Sequence, residues 1–120
     1  MRNGFARMRL ALLLTLLLSA CSRGAEADLA TIREARSLTA EWALVNDQAA
    51  QRRLTRAYTD AMRKSLREQL RVAASSLTHP DSTYGREIRA LLAQPDNADA
   101  QELKARAAGL KQIEDGLESA

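Results

Sequence analysis

The sequence predicts an all-α protein, and three observations carry that expectation. Gly (5) and Pro (2) are scarce among the 120 residues, and aromatics make up only 3%, whereas strands are enriched in aromatic and β-branched residues and bounded by Gly/Pro turns. Ala, Leu, Arg, Glu and Gln dominate instead, and all are strong helix formers. Finally, residues 25–77 contain neither Gly nor Pro. The expected architecture is a long helix over about 26–77, with a candidate break at Asn46-Asp47, followed by two shorter helices at about 82–93 and 97–118. Connections this short fold the shorter helices back along the long one as a small antiparallel bundle.

In the first half of the long helix, Leu29, Ile32, Leu38, Trp42, Val45 and Ala49 follow helical spacing only roughly. In the second half Leu54, Tyr58, Met62, Leu66, Leu70, Ala73 and Leu77 keep a clean apolar face. Pro80 disfavours helical geometry at His79, so residues 78–82 form a turn in which Asp81 or Ser82 can cap the next helix. That helix turns Tyr84, Ile88, Leu91 and Leu92 inward. The run Gln94-Pro95-Asp96-Asn97 ends it by the same logic, and Asp96 or Asn97 opens the last helix. Its core stripe is Leu103, Ala107, Leu110, Ile113 and Leu117.

The N-terminus has a different composition. Residues 1–9 carry three Arg and no acid, Leu10 to Leu18 is an apolar run, and the small residues Ser19 and Ala20 precede Cys21, the only cysteine. This is the order of a secretory signal. The run is about half of the roughly 20 residues that a membrane-spanning helix needs. Leu18-Ser19-Ala20-Cys21 resembles the lipobox of bacterial lipoproteins. That resemblance covers residues 1–21 only. It implies cleavage between Ala20 and Cys21, acylation of the Cys21 sulfur and often of the new amine, and a stable anchor, since two or three acyl chains hold where one does not. The expected organisation is therefore a cleaved signal over 1–20, a lipidated tether over 21–25 and one helical domain over 26–120. Ser22 is compatible with the outer membrane, on the periplasmic side of the envelope. The ending Glu118-Ser119-Ala120 lacks the lysine by which the major murein lipoprotein is joined to the wall, so that role is not expected.

Cleavage also changes the charge. Three of the 18 basic residues lie in the leader and all 15 acids lie after Cys21, so the mature chain has 15 of each. A general nucleic-acid binder loses its support at that point. A lone cysteine supplies no disulfide framework.

The charges that remain are unevenly distributed. With Arg52 at 0° and about 100° per residue, Arg52, Arg53, Arg56, Arg63, Lys64, Arg67 and Arg71 share about one third of the helix circumference. Only Asp60 and Glu68 offset these seven. Such a stripe is either a solvated face, locally paired through Asp60 to Arg56 and Lys64 and through Glu68 to Lys64, or a contact for anionic head groups, lipopolysaccharide phosphates or an acidic partner. Trp42 is either a core anchor or a contact for a partner or membrane interface, the latter because residues 26–49 lack an evident partner helix. That same uncovered half suggests self-association or an envelope protein partner.

An enzyme is not expected. One loop histidine beside scattered serines is no catalytic constellation, Glu114-Asp115 falls on a helix end expected to be solvated, and glycine-rich phosphate loops are absent. No cofactor, metal or small-molecule substrate is indicated. The expected function is a non-enzymatic, membrane-anchored interaction or structural module. The alternative is an anionic lipid or lipopolysaccharide binder acting through the basic face of helix 50–77.

Overall fold

The computed structural model describes residues 28–119. The leader, the Ala20–Cys21 cleavage point and the tether lie outside them. Among the described residues the fold is all-helical, with four helices: α1 over 28–50, α2 Arg56–Ser75, α3 Thr83–Leu92 and α4 Ala100–Glu118.

The long helix of the sequence reading is two helices, and the break lies at 51–55, beyond Asn46-Asp47. The amide N–H of Arg52 donates to the Ala49 carbonyl at 3.0 Å and that of Arg53 to the Gln48 carbonyl at 3.0 Å. This is the bond pattern of a Schellman ending, in which the residue after the cap turns left-handed. Arg52 occupies that position with φ 58°. Glycine is usual there, and an arginine leaves no breaker in the sequence. Thr55 then caps α2, its hydroxyl accepting from the Tyr58 N–H at 3.2 Å. Asn46 stays helical because its side chain serves tertiary contacts: its Nδ2 donates to the carbonyls of Asp96 at 3.1 Å and Ala98 at 2.7 Å.

The shorter helices fall close to where the sequence puts them. Ser82 is the α3 cap, its Oγ accepting from the Gly85 N–H at 3.1 Å. Gly85 is required by close approach: a Cβ built there would lie 2.2 Å from the Pro80 carbonyl oxygen. The α4 cap is Asp99, not Asp96 or Asn97, and its Oδ1 accepts from the N–H groups of Gln101 and Glu102 at 2.9 and 3.1 Å. The helix starts three residues later than expected, and Asp96 is released for tertiary contacts.

One core joins all four helices. Ile32, Trp42, Leu66, Leu70, Ile88, Leu91, Leu103 and Leu110 are fully buried in it. The first half of the expected long helix is thus covered, and the motive for an external partner there disappears. Along α1 the inward seam is Asp28, Ile32, Ala35, Thr39, Trp42 and Asn46, every one buried. Their alternating spacing of four and three is that of a helix face, but half of the seam is polar. Near its start, α1 meets the far end of α4, where Arg33 Nε lies 3.1 Å and Arg36 Nε 2.7 Å from the Glu114 carboxylate. Glu114 is buried, which corrects the expectation of a solvated end at that residue, while Asp115 is exposed as expected. The two arginines make that burial tolerable, since an unpaired buried carboxylate would be strongly destabilising.

Candidate functional site

α2 sits in the fold rotated by roughly 50–60° (at about 100° per residue) from the orientation that its apolar residues imply. Thr59, Leu66, Leu70 and Ala73 are its buried residues, while Tyr58 and Val72 are exposed. The rotation turns part of the basic stripe inward, and the seven basic residues separate into three groups.

Arg63 and Arg67 are structural. Arg63 Nε donates to Asn46 Oδ1 at 2.8 Å. Arg67 donates to the Leu92 carbonyl at 2.8 Å and to the Asp96 carboxylate, and its guanidinium lies 5.7 Å from the centre of the Trp42 ring, within the range of a cation–π contact. The Trp42 indole N–H donates to the Asp96 carbonyl at 2.9 Å. Trp42 is completely buried, which removes it as a surface contact for a partner or membrane. Its role is internal, holding the loop before α4 against α1 and α2.

Arg71 pairs with Glu68 on the surface. Glu68 was expected to pair with Lys64, but the partner three residues on takes it. The expected pairs of Asp60 with Arg56 and Lys64 do not form either: Asp60 makes no ion pair among the described residues.

The side chains of Arg52, Arg53, Arg56 and Lys64 carry no hydrogen bond or ion pair among the described residues. Arg52 and Arg53 lie in the turn and not on the helix, so the uninterrupted seven-residue stripe does not exist as drawn. Arg52 and Arg56 instead line a cleft of about 810 Å³ where the end of α1, the 51–55 turn, the start of α2 and the start of α4 meet. Arg63 adds a third guanidinium to its wall, and Asp47, Asp60 and Asp99 supply three carboxylates. Two of those carboxylates are engaged: Asp47 accepts from Gln51 Nε2 at 3.0 Å and Asp99 caps α4. Only Asp60 is uncommitted.

A second polar cluster holds the opposite end of α1. The buried Asp28 carboxylate accepts from the backbone N–H groups of Thr78 (2.8 Å) and His79 (3.2 Å) and from the Tyr84 hydroxyl. Burial alone would raise its pKa, but these hydrogen bonds outweigh burial and hold it below the ordinary carboxylate value. Tyr84 is raised, by its own burial first and then by its bond to Asp28. Its donors come from the turn at 78–79 and from Tyr84 in α3, so the cluster ties α1 to both.

Among the described residues no group of three or more His, Cys, Asp or Glu side chains could hold a metal ion. Among them, too, no helix is long and apolar enough to cross a membrane. Sequence reasoning missed Asp28, Asn46, Asp96 and Glu114. The first two had a readable signal, their four-and-three register with Ile32 and Trp42. Asp96 and Glu114 had none, because their partners are 29 to 81 residues away in the chain. No family model, curated protein or solved structure matches the chain.

Proposed function

We propose that the chain is a membrane-anchored, non-enzymatic envelope lipoprotein whose helical body holds a binding surface away from its anchor. The body is read as a small antiparallel bundle. Supporting this, Arg33 and Arg36 near the start of α1 reach Glu114 late in α4, while Trp42 and Asn46 near its end reach Asp96 and Ala98 just before α4.

The observation that carries the reading is the separation of two ends. Anchoring through Cys21 would bring the chain into the fold at Asp28, seven residues later. The arginine-lined cleft begins at the other end of α1, whose described residues 28–50 span about 35 Å. Self-association through an uncovered α1 is not part of the proposal, because α1 is covered.

The anchor is tested by expressing the full chain in a Gram-negative host with labelled palmitate and fractionating the envelope. Label on the parent chain, absent from Cys21→Ser together with release of that variant from the membrane fraction, is the expected result. An unlabelled parent chain, or a Cys21→Ser variant that stays with the membrane, ends the proposal.

The second reading, an anionic-lipid binder, is favoured by the four unpaired bases Arg52, Arg53, Arg56 and Lys64. The engagement of Arg63, Arg67 and Arg71 within the fold weighs against a continuous basic face.

A further inference from the structure

We propose that the cleft between the α1–α2 turn and the start of α4 binds a small soluble ligand, with a phosphate or similar oxyanion head on a short apolar body. This goes beyond the anchored-module reading and does not depend on whether Cys21 is lipidated.

Shape is the first argument. At about 810 Å³ the cleft lies within the range of small-molecule sites, roughly 300–1,000 Å³, and its concave walls would leave a flat bilayer touching only the rim. The second argument is the state of its cations. Arg52 and Arg56 have no partner within the fold, and Arg63 uses only its Nε, on Asn46. Guanidiniums with free donors are suited to two-pronged recognition of phosphate or carboxylate oxygens. Asp47, Asp60 and Asp99 on the same wall balance the formal charge of the three arginines, but Asp47 and Asp99 already accept hydrogen bonds from their own chain, so free cationic donors outnumber free acceptors in the cleft.

The third argument is the backbone. Arg52 holds φ 58°, a conformation that costs an L-residue about 1–2 kcal/mol. The Schellman bonds of the Arg52 and Arg53 N–H groups hold that conformation, and it sets the Arg52 side chain on the wall of the cleft. The first turn of α2, which also lines the cleft, carries no acidic side chain, so the positive end of its dipole is not neutralised by its own sequence. Ala49, Ala50, Leu54 and Ala98 supply apolar wall for the body of the ligand.

The test uses the ¹⁵N-labelled full chain in uncharged detergent, titrated with phenyl phosphate. A parallel titration uses benzyl alcohol, which has an apolar body without the charge, and a third uses phosphatidylglycerol vesicles. The expected result is saturable movement of amides in 46–60 and 97–101 with phenyl phosphate and not with benzyl alcohol. Arg52→Glu combined with Arg56→Glu should weaken binding about tenfold or more, and Asp60→Asn should tighten it about two- to threefold. Both sites are exposed and unpaired, so the variants keep the helical signal. Equal movement with benzyl alcohol, unchanged affinity in the double variant, movement confined to Lys64–Arg71, or binding to vesicles alone overturns the proposal.

Discussion

Removing the Asp28 carboxylate should cost this fold about as much as emptying a core position. The carboxylate is 1% exposed and accepts hydrogen bonds from two backbone N–H groups at 2.8 and 3.2 Å, from the Tyr84 hydroxyl and from the Thr78 side chain. A hydrogen bond to a charged group contributes about 1.5–3 kcal/mol. Thr78 and His79 are themselves exposed, so water can replace the carboxylate at their N–H groups, while the buried Tyr84 hydroxyl has less recourse to it. The sum for Asp28→Ala is therefore about 3 kcal/mol. For a domain of this size that lowers Tm by about 12–24 °C, at about 4–8 °C per kcal/mol. Asp28→Asn keeps one acceptor but turns an amide donor toward another donor, and should lose about 2 kcal/mol. Thermal unfolding of the full chain followed by circular dichroism measures both.

The sign with pH is fixed as well. A carboxylate whose folded pKa lies below its unfolded value adds stability above the unfolded pKa. That contribution is lost as pH falls through the lowered folded value. The gap between parent and Asp28→Asn should thus be full at neutral pH and close in acid. A Tm change within about 3 °C for Asp28→Ala, or a gap that widens in acid, would refute the reasoning.

The remaining predictions concern the backbone. Gly85→Ala should destabilise by about 2–3 kcal/mol, since the new methyl meets the Pro80 carbonyl at 2.2 Å and backbone must shift. Gly109→Ala, in the middle of α4 with nothing within 4 Å, should stabilise by up to about 1 kcal/mol. Opposite signs in urea titrations check the pair. Arg52→Gly relieves the left-handed cost but adds chain freedom to the unfolded state, and should come out about 0.5–1 kcal/mol more stable. The same substitution should weaken phenyl phosphate binding, separating stability from ligand affinity.

Helical class, the turn at Pro80 and the limits of α3 were legible because they rest on local chemistry: composition, proline geometry and a serine cap. The break at Arg52 was not legible, because the Schellman position carries no glycine. Nor was the α1 seam, for a different reason. Asp28, Thr39 and Asn46 share the register of Ile32, Ala35 and Trp42, but a search for apolar periodicity passes over polar members, and Asn46 then reads as a breaker. The rotation of α2 was hidden too. Its most apolar arc includes Tyr58 and Val72, yet the inward direction is set by partners on other helices, which draw Arg63 and Arg67 toward Asn46, Asp96 and Leu92. As a result the cleft is only half legible: the sequence places Arg52, Arg56 and Arg63 on one helix stripe, whereas the fold assembles them around the mouth of a cavity.

The Asp28 tie also has a mechanical meaning. A pull on the chain upstream of residue 28 reaches the body at a point cross-linked to the turn between α2 and α3. The load is shared with Thr78, His79 and Tyr84 before it can peel α1 from its neighbours. α1 would then come away only after several bonds yield together, not one turn at a time. Asp28 would thus act as a strain relief between tension arriving from upstream and the cleft at the far end of α1.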